Sequence, residues 1–180
     1  MTTLGQLRKA ALSHPEAERR EAGPGATVFT VGGTAFASAD ADGGVRLNLP
    51  EAEAAEVLSA YPTAETVGSE VRIPLAGVDG QQLNRWVWRA WLHCAPEPLV
   101  QRAIAAESAV PGEVGDLPRG IGRPATRALV GMGVTTLDQV AEYTEAELTA
   151  MHGVGPKAVR LLGEALGSSG LGFRPPRGSR

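Results

Sequence analysis

Cysteine is almost absent from this chain: Cys94 stands alone among 180 residues, so no intrachain disulfide can form and no set of thiolates can hold zinc. Histidine is nearly as scarce. His14, His93 and His152 are scattered and give no recognised metal-ligand spacing, and His93 next to Cys94 is not a nucleophile pair, because adjacent residues on a helix point in different directions. No apolar run approaches the length needed to cross a bilayer, and the N-terminus lacks the apolar core of a signal peptide. A cytoplasmic chain, with nucleoid association open to it and no membrane partner, is therefore expected. There is no basic excess, the formal net charge being −3. Such a chain cannot bind nucleic acid strongly by charge alone, because non-specific affinity comes mainly from neutralising phosphates. Paired carboxylates, a nucleophile elbow, a Walker loop and a dinucleotide fingerprint are all missing from the contexts their chemistry requires. The expectation is a protein that is not an enzyme and takes no cofactor and no metal.

What is present is concentrated near the C-terminus. Residues 1–114 carry 9 basic against 14 acidic residues, whereas residues 115–180 carry 8 against 6. The basic set includes Arg119, Arg123, Arg127, Lys157 and Arg160, which fall around two glycine turns. In the second turn, His152-Gly153-Val154-Gly155-Pro156-Lys157-Ala158-Val159-Arg160, the glycines permit backbone conformations that a Cβ would obstruct. Pro156 suits the first helical position, where its missing N–H would have had no partner. Free N–H groups and the positive end of the helix dipole then favour a phosphate, with Lys157 beside it. Such contacts read no base edge, so binding is expected to be independent of sequence. The first turn, Gly120-Ile121-Gly122-Arg123-Pro124-Ala125-Thr126-Arg127, repeats the pattern 33 positions earlier. Two such clamps could grip backbone on both sides of a groove. A G-x-G turn can also serve tight packing alone.

Between the turns, Gly131 and Gly133 close one helix, and Thr136 with Gln139, then Thr144 with Glu147, give capping-box starts for two more. Leu137, Val140, Leu148, Met151, Val159, Leu162 and Leu166 supply apolar faces. The segments "GIGRPATRAL", "GVTTLDQVAEYTEAEL", "HGVGPKAV" and "GLGF" resemble a helix-hairpin-helix domain, similar in layout to the C-terminal domain of the bacterial RNA polymerase alpha subunit. The resemblance implies DNA phosphate contacts through the backbone at Gly153, Val154 and Gly155 and through Lys157. It also implies minor-groove contacts from the first helix, for which Arg123 and Arg127 are the nearest residues; the family's asparagine is absent.

The N-terminal part has a different plan. Thr3 caps a helix with Leu4, Leu7, Ala11 and Leu12 as its apolar stripe, ending before His14-Pro15. Glu16 to Gly25 reads as a charged loop. Thr27 to Val31 and Thr34 to Ser38 read as strands joined by Gly32-Gly33, followed by a third strand at Val45 to Leu49. A helix from Pro50 to Tyr61 carries Ala54, Val57 and Leu58. A strand follows at Val71 to Leu75, with an edge segment near Thr66 before it. A longer helix from Asp79 then places Leu83, Trp86, Val87, Ala90 and Trp91 on one face. Trp88 falls off that face and is expected beneath the next helix or the linker. This order, with "ALSHPEAER", "FTVGGTAFASAD", "VRLNLPEAEAAEVL" and "VDGQQLNRWVWRAWLHCAPEPL", resembles the MmcQ/YjbR family of small α+β proteins with a double-wing fold. Asn48 stands where that family commonly has lysine.

The fold class expected is α+β: an N-terminal antiparallel sheet with helices over 1–107, a Pro/Gly-rich linker over 108–116, an all-α helix-hairpin-helix domain over 117–173 and a disordered basic tail over 174–180. The expected function is weak, sequence-independent binding of double-stranded DNA, with Gly153, Val154, Gly155, Lys157, Arg160, Gly120, Gly122, Arg123 and Arg127 as contacts. The competing expectation is an adaptor that docks another protein and never touches DNA.

Overall fold

The computed structural model describes residues 2–176. The chain divides into two compact units, Met1–Glu97 and Pro98–Arg180, and its class is α+β.

The first unit runs α1 (Leu4–Leu12), β1 (Glu18–Gly23), β2 (Ala26–Val31), β3 (Thr34–Ala39), β4 (Gly44–Leu47), α2 (Glu51–Ala60), β5 (Glu65–Val67), β6 (Glu70–Pro74) and α3 (Gly80–Cys94). The strands form one antiparallel sheet in the order β1-β2-β3-β4-β6-β5, so only the β4–β6 pairing skips a strand in sequence. Gly32 and Gly33 both adopt positive φ, 56° and 83°, which is the twist a two-residue hairpin between β2 and β3 requires. Thr3 closes a capping box with Gln6, and the Asp79 carboxylate accepts from the N–H groups of Gln81 and Gln82 to start α3.

Alternation buries one face of the sheet: Phe29, Ala37, Val45, Leu47, Val71 and Ile73 are all buried, as is the expected α3 face of Leu83, Trp86, Val87, Ala90 and Trp91. Three readings of sequence are corrected here. Glu18–Gly23, expected as a loop, pairs with β2 as an edge strand; all six residues are exposed, so no apolar alternation announces it, and its charges suit an edge that must not recruit another strand. The buried side of α1 is Leu7, Ala10 and Ala11, leaving Leu4 and Leu12 exposed, and α2 buries Val57 while Leu58 is exposed. The half-buried Trp88 ring stacks on Trp91 at 5.3 Å between centroids, with the His14 ring tilted against it at 5.1 Å.

The second unit is entirely helical among the described residues: α4 (Glu97–Ser108), a 3-10 turn (Arg119–Ile121), α5 (Gly122–Gly131), α6 (Leu137–Ala141), α7 (Glu145–Ala150) and α8 (Pro156–Ser168). Its main core gathers Leu117, Ile121, Ala125, Leu129, Leu137, Val140, Leu148, Val154, Val159, Leu162 and Leu166. The division therefore falls before α4, whereas composition placed it after residue 107; Ala106 and Ala109 pack with Val130 of α5, which joins α4 to the helical unit. Residues 109–117 are likewise tied down. Leu117 is buried, Val114 packs on both apolar clusters, and the Asp116 carboxylate accepts from the Leu137 N–H at 2.7 Å.

At the far end, Phe173 lies against Gly163, the Arg174 N–H donates to the Tyr143 carbonyl at 2.9 Å, and its guanidinium meets Glu147 at 2.7 Å. Arg174 is thus anchored rather than part of a loose tail, and the rest of that expectation at residues 177–180 lies outside the described residues.

Candidate nucleic-acid interface

The two glycine turns are built as near copies and locked to each other. Equivalent positions have equivalent fates: Ile121 and Val154 are buried, Ala125 and Ala158 are buried, and Arg127 and Arg160 each hold an ion pair, with Glu107 and Glu164 respectively. Helices α5 and α8 even end alike. The Val134 N–H reaches back to the Leu129 carbonyl and the Leu171 N–H to the Leu166 carbonyl, with Gly133 and Gly170 at positive φ, 80° and 72°.

Within each turn the two glycines differ in what surrounds them. A Cβ on Gly120 would lie 3.2 Å from a Leu161 methyl of α8, and a Cβ on Gly153 would lie 3.0 Å from the Pro124 carbonyl oxygen at the start of α5. The first glycine of each copy therefore lets the other copy's helix approach. Around Gly155 nothing comes within 4 Å of such a Cβ, and at Gly122 only a Pro124 ring carbon does, at 3.9 Å. The second glycine of each copy faces open space.

Hydrogen bonding separates the copies. Gly155 is the N-cap of α8 in extended conformation, no side chain caps that helix, and Pro156 occupies N1. The N–H groups of Gly155 and Lys157 have no acceptor among the described residues. Val154 is engaged, donating to the Met151 carbonyl at 3.1 Å, and Gly153 sits in the packed seam. In the first turn the Gly122 N–H is already committed to the Arg119 carbonyl, and its φ is +79°. Of the two, the second turn is the better cradle for an anion, because free donors and the positive helix end coincide there.

The cations divide in the same way. Lys157, Arg123 and Arg119 are exposed and have no carboxylate within ion-pair distance among the described residues. Arg127 and Arg160, also expected as DNA contacts, are partly neutralised by their glutamates. The second of these pairs was readable in advance, since Arg160 and Glu164 are four residues apart on a helix. The first was not, because Glu107 comes from α4. The Pro124 carbonyl beside Gly153 brings the two turns side by side.

Elsewhere the chemistry is quiet. Burial pushes the Cys94 thiol up to about 11, with Glu70 adding to the effect, so it stays a thiol at neutral pH. Burial lowers His14 to about 4. Among the described residues no group of three or more His, Cys, Asp or Glu could hold a metal, and no helix is long and apolar enough to cross a membrane.

No protein-family model matches the chain, and no curated protein matches it. Among solved structures, the Deinococcus radiodurans protein DR2400, described as a DUF419 domain, is similar over 54% of this chain and 82% of that one, at 18% identity and a TM-score of 0.48.

Proposed function

We propose that this protein is a non-enzymatic DNA-binding protein whose helical unit grips the phosphate backbone of duplex DNA, weakly and without sequence preference. In this reading the helical unit is a helix-hairpin-helix domain and the first unit a double-wing-like α+β domain of the MmcQ/YjbR type. The observation that carries it is the uncapped N-terminus of α8, where Gly155 and Lys157 present free N–H groups beneath open space with an unpaired lysine beside them. A phosphate oxygen there would accept two backbone hydrogen bonds and sit at the positive end of a 13-residue helix. Arg123 and Arg119 extend the contact along the strand; Gly122 leaves room for it without donating. Gly120, Gly153 and Val154 act by holding the two turns together. Arg127 and Arg160 contribute less than an unpaired arginine would, since each must share its charge with a glutamate.

Amide-proton mapping by NMR tests the assignment. Adding a short random-sequence duplex should shift the Gly155 and Lys157 amide resonances most, with Arg123 next. Shifts confined to other surfaces, or none at all, would remove the proposal and favour a unit that docks a protein.

A further inference from the structure

The repeat of 33 positions makes Arg127 of α5 and Arg160 of α8 equivalent, and each is paired with a glutamate. Their glutamates are not equivalent. Glu107 comes from α4 and Glu164 from α8 itself, and the positions that correspond to them in the other copy are Val140 and Gly131. The two copies thus neutralise the same arginine by unrelated means. Each arginine also shares a helix side with a cation that has no ion pair among the described residues: Arg127 lies four residues after Arg123, and Arg160 three after Lys157. Helical Cα–Cβ bonds tilt toward the N-terminus. An Arg160 released from Glu164 therefore leans toward the first turn of α8, where the Gly155 and Lys157 N–H groups are free.

We propose that Glu107 and Glu164 are built-in counter-charges that restrain DNA binding: a backbone phosphate recruits Arg127 and Arg160 only by displacing them. The inference rests on the phosphate-binding reading of the α8 turn. The four side chains are between 38% and 62% exposed, and ion pairs this open to water are weak, so neither arginine is locked. What restrains it is the glutamate left behind. Once displaced, that carboxylate stands near a phosphate of like charge and draws a cation from solution. Engaging an unpaired cation releases counterions from the duplex, worth about −0.9 in the log–log salt slope for each phosphate neutralised. Engaging a paired arginine releases the same counterions while its glutamate takes a cation up, so it adds little affinity and little salt dependence. Unpaired Lys157, Arg123 and Arg119 then set the native slope, and two arginines stay in reserve.

Fluorescence anisotropy of the full chain on a short random-sequence duplex, over a salt series, compares the native protein with Glu107→Gln, Glu164→Gln and the double variant. Each single change should raise affinity roughly two- to five-fold at low salt and steepen the slope by about 0.9, the double variant by about twice that. Glu142→Gln removes the same charge from an exposed glutamate that has no ion pair among the described residues, and should leave the slope unchanged. In an Arg160→Gln background, Glu164→Gln should bring no gain beyond that control. Circular dichroism checks that each variant is folded. Gains no larger than that of Glu142→Gln, or a gain from Glu164→Gln that persists without Arg160, would overturn the restraint and leave the phosphate cradle standing. No binding at low salt by the native chain or any variant would remove the cradle and the restraint together.

Discussion

Gly153 and Gly155 are two residues apart, yet substitution should affect them in opposite ways. Gly153 has φ +95° and the Pro124 carbonyl oxygen 3.0 Å from where a Cβ would go, whereas Gly155 has φ −86° and empty space. Gly153→Ala should therefore cost about 1–3 kcal/mol in urea unfolding, from backbone strain and forced separation of the turns. Gly155→Ala should cost less than about 1 kcal/mol, the small penalty of replacing a glycine N-cap. Equal losses at both positions would contradict this division. A second residue-scale test concerns His14, whose pKa burial depresses from 6.5 to about 4 beside Trp88 and Trp91. Because the unfolded chain binds the proton more readily, the stability present above about pH 6.5 is lost as pH falls toward 4. By linkage the loss attributable to His14 between about pH 7 and pH 5 is on the order of 2 kcal/mol. His14→Phe keeps a ring against the tryptophans and should remove most of that loss, read as a flatter plot of unfolding free energy against pH. Asp40, held below the usual carboxylate range by its hydrogen bond from Arg72, acts in a lower pH window, as acid protonates it.

At the scale of elements, side-chain caps start α1, α3, α6 and α7. Thr136 with Gln139 and Thr144 with Glu147 both form reciprocal capping boxes, and Glu147 is held below the usual carboxylate range first by the Thr144 N–H and then by the Thr144 hydroxyl. These helices have only 5 and 6 residues, too few to persist without caps and packing. Thr144→Ala should lower stability by about 1 kcal/mol, measured as a shift in the urea midpoint at unchanged slope. Such signals are readable from sequence because they involve neighbours three residues apart. The hairpin at Gly32-Gly33, the strands β4, β5 and β6 that follow it and the α3 stripe are readable because they too rest on patterns among near neighbours in sequence. Edge strand β1 was hidden because its pairing is carried by backbone alone and no side chain is buried. Leu4 and Leu12 fit an apolar pattern as well as Leu7 and Ala11, and only the position of α3 decides which side of α1 is covered. In the candidate interface, the sequence marks the turns and their cations. It does not mark which glycine packs and which is open, because that depends on Pro124 and Leu161, residues of the opposite copy.

For the whole molecule, the placement of α4 in the helical unit has a direct consequence. A fragment of residues 98–180 should unfold cooperatively, while one starting at residue 117 should be less stable by a few kcal/mol, since it loses Ala106 and Ala109 against Val130 and the Asp116 bond to Leu137. Equal stability of the two would place the boundary at the Pro/Gly-rich segment after all. Charge at this scale argues for modest affinity: the chain is acidic overall, and the free cations at the turns are few. About two to four phosphate contacts should give a log–log slope of affinity against salt of about −2 to −4. The measurement that tests the DNA reading most directly is fluorescence-anisotropy binding of the full chain to a short random-sequence duplex at low and moderate salt, compared with the Gly155→Asp, Lys157→Glu double variant, its folding verified by circular dichroism. Salt-sensitive binding with that slope, lost in the folded variant, is the predicted result; no binding by the native chain at low salt, or undiminished binding by the variant, would contradict it.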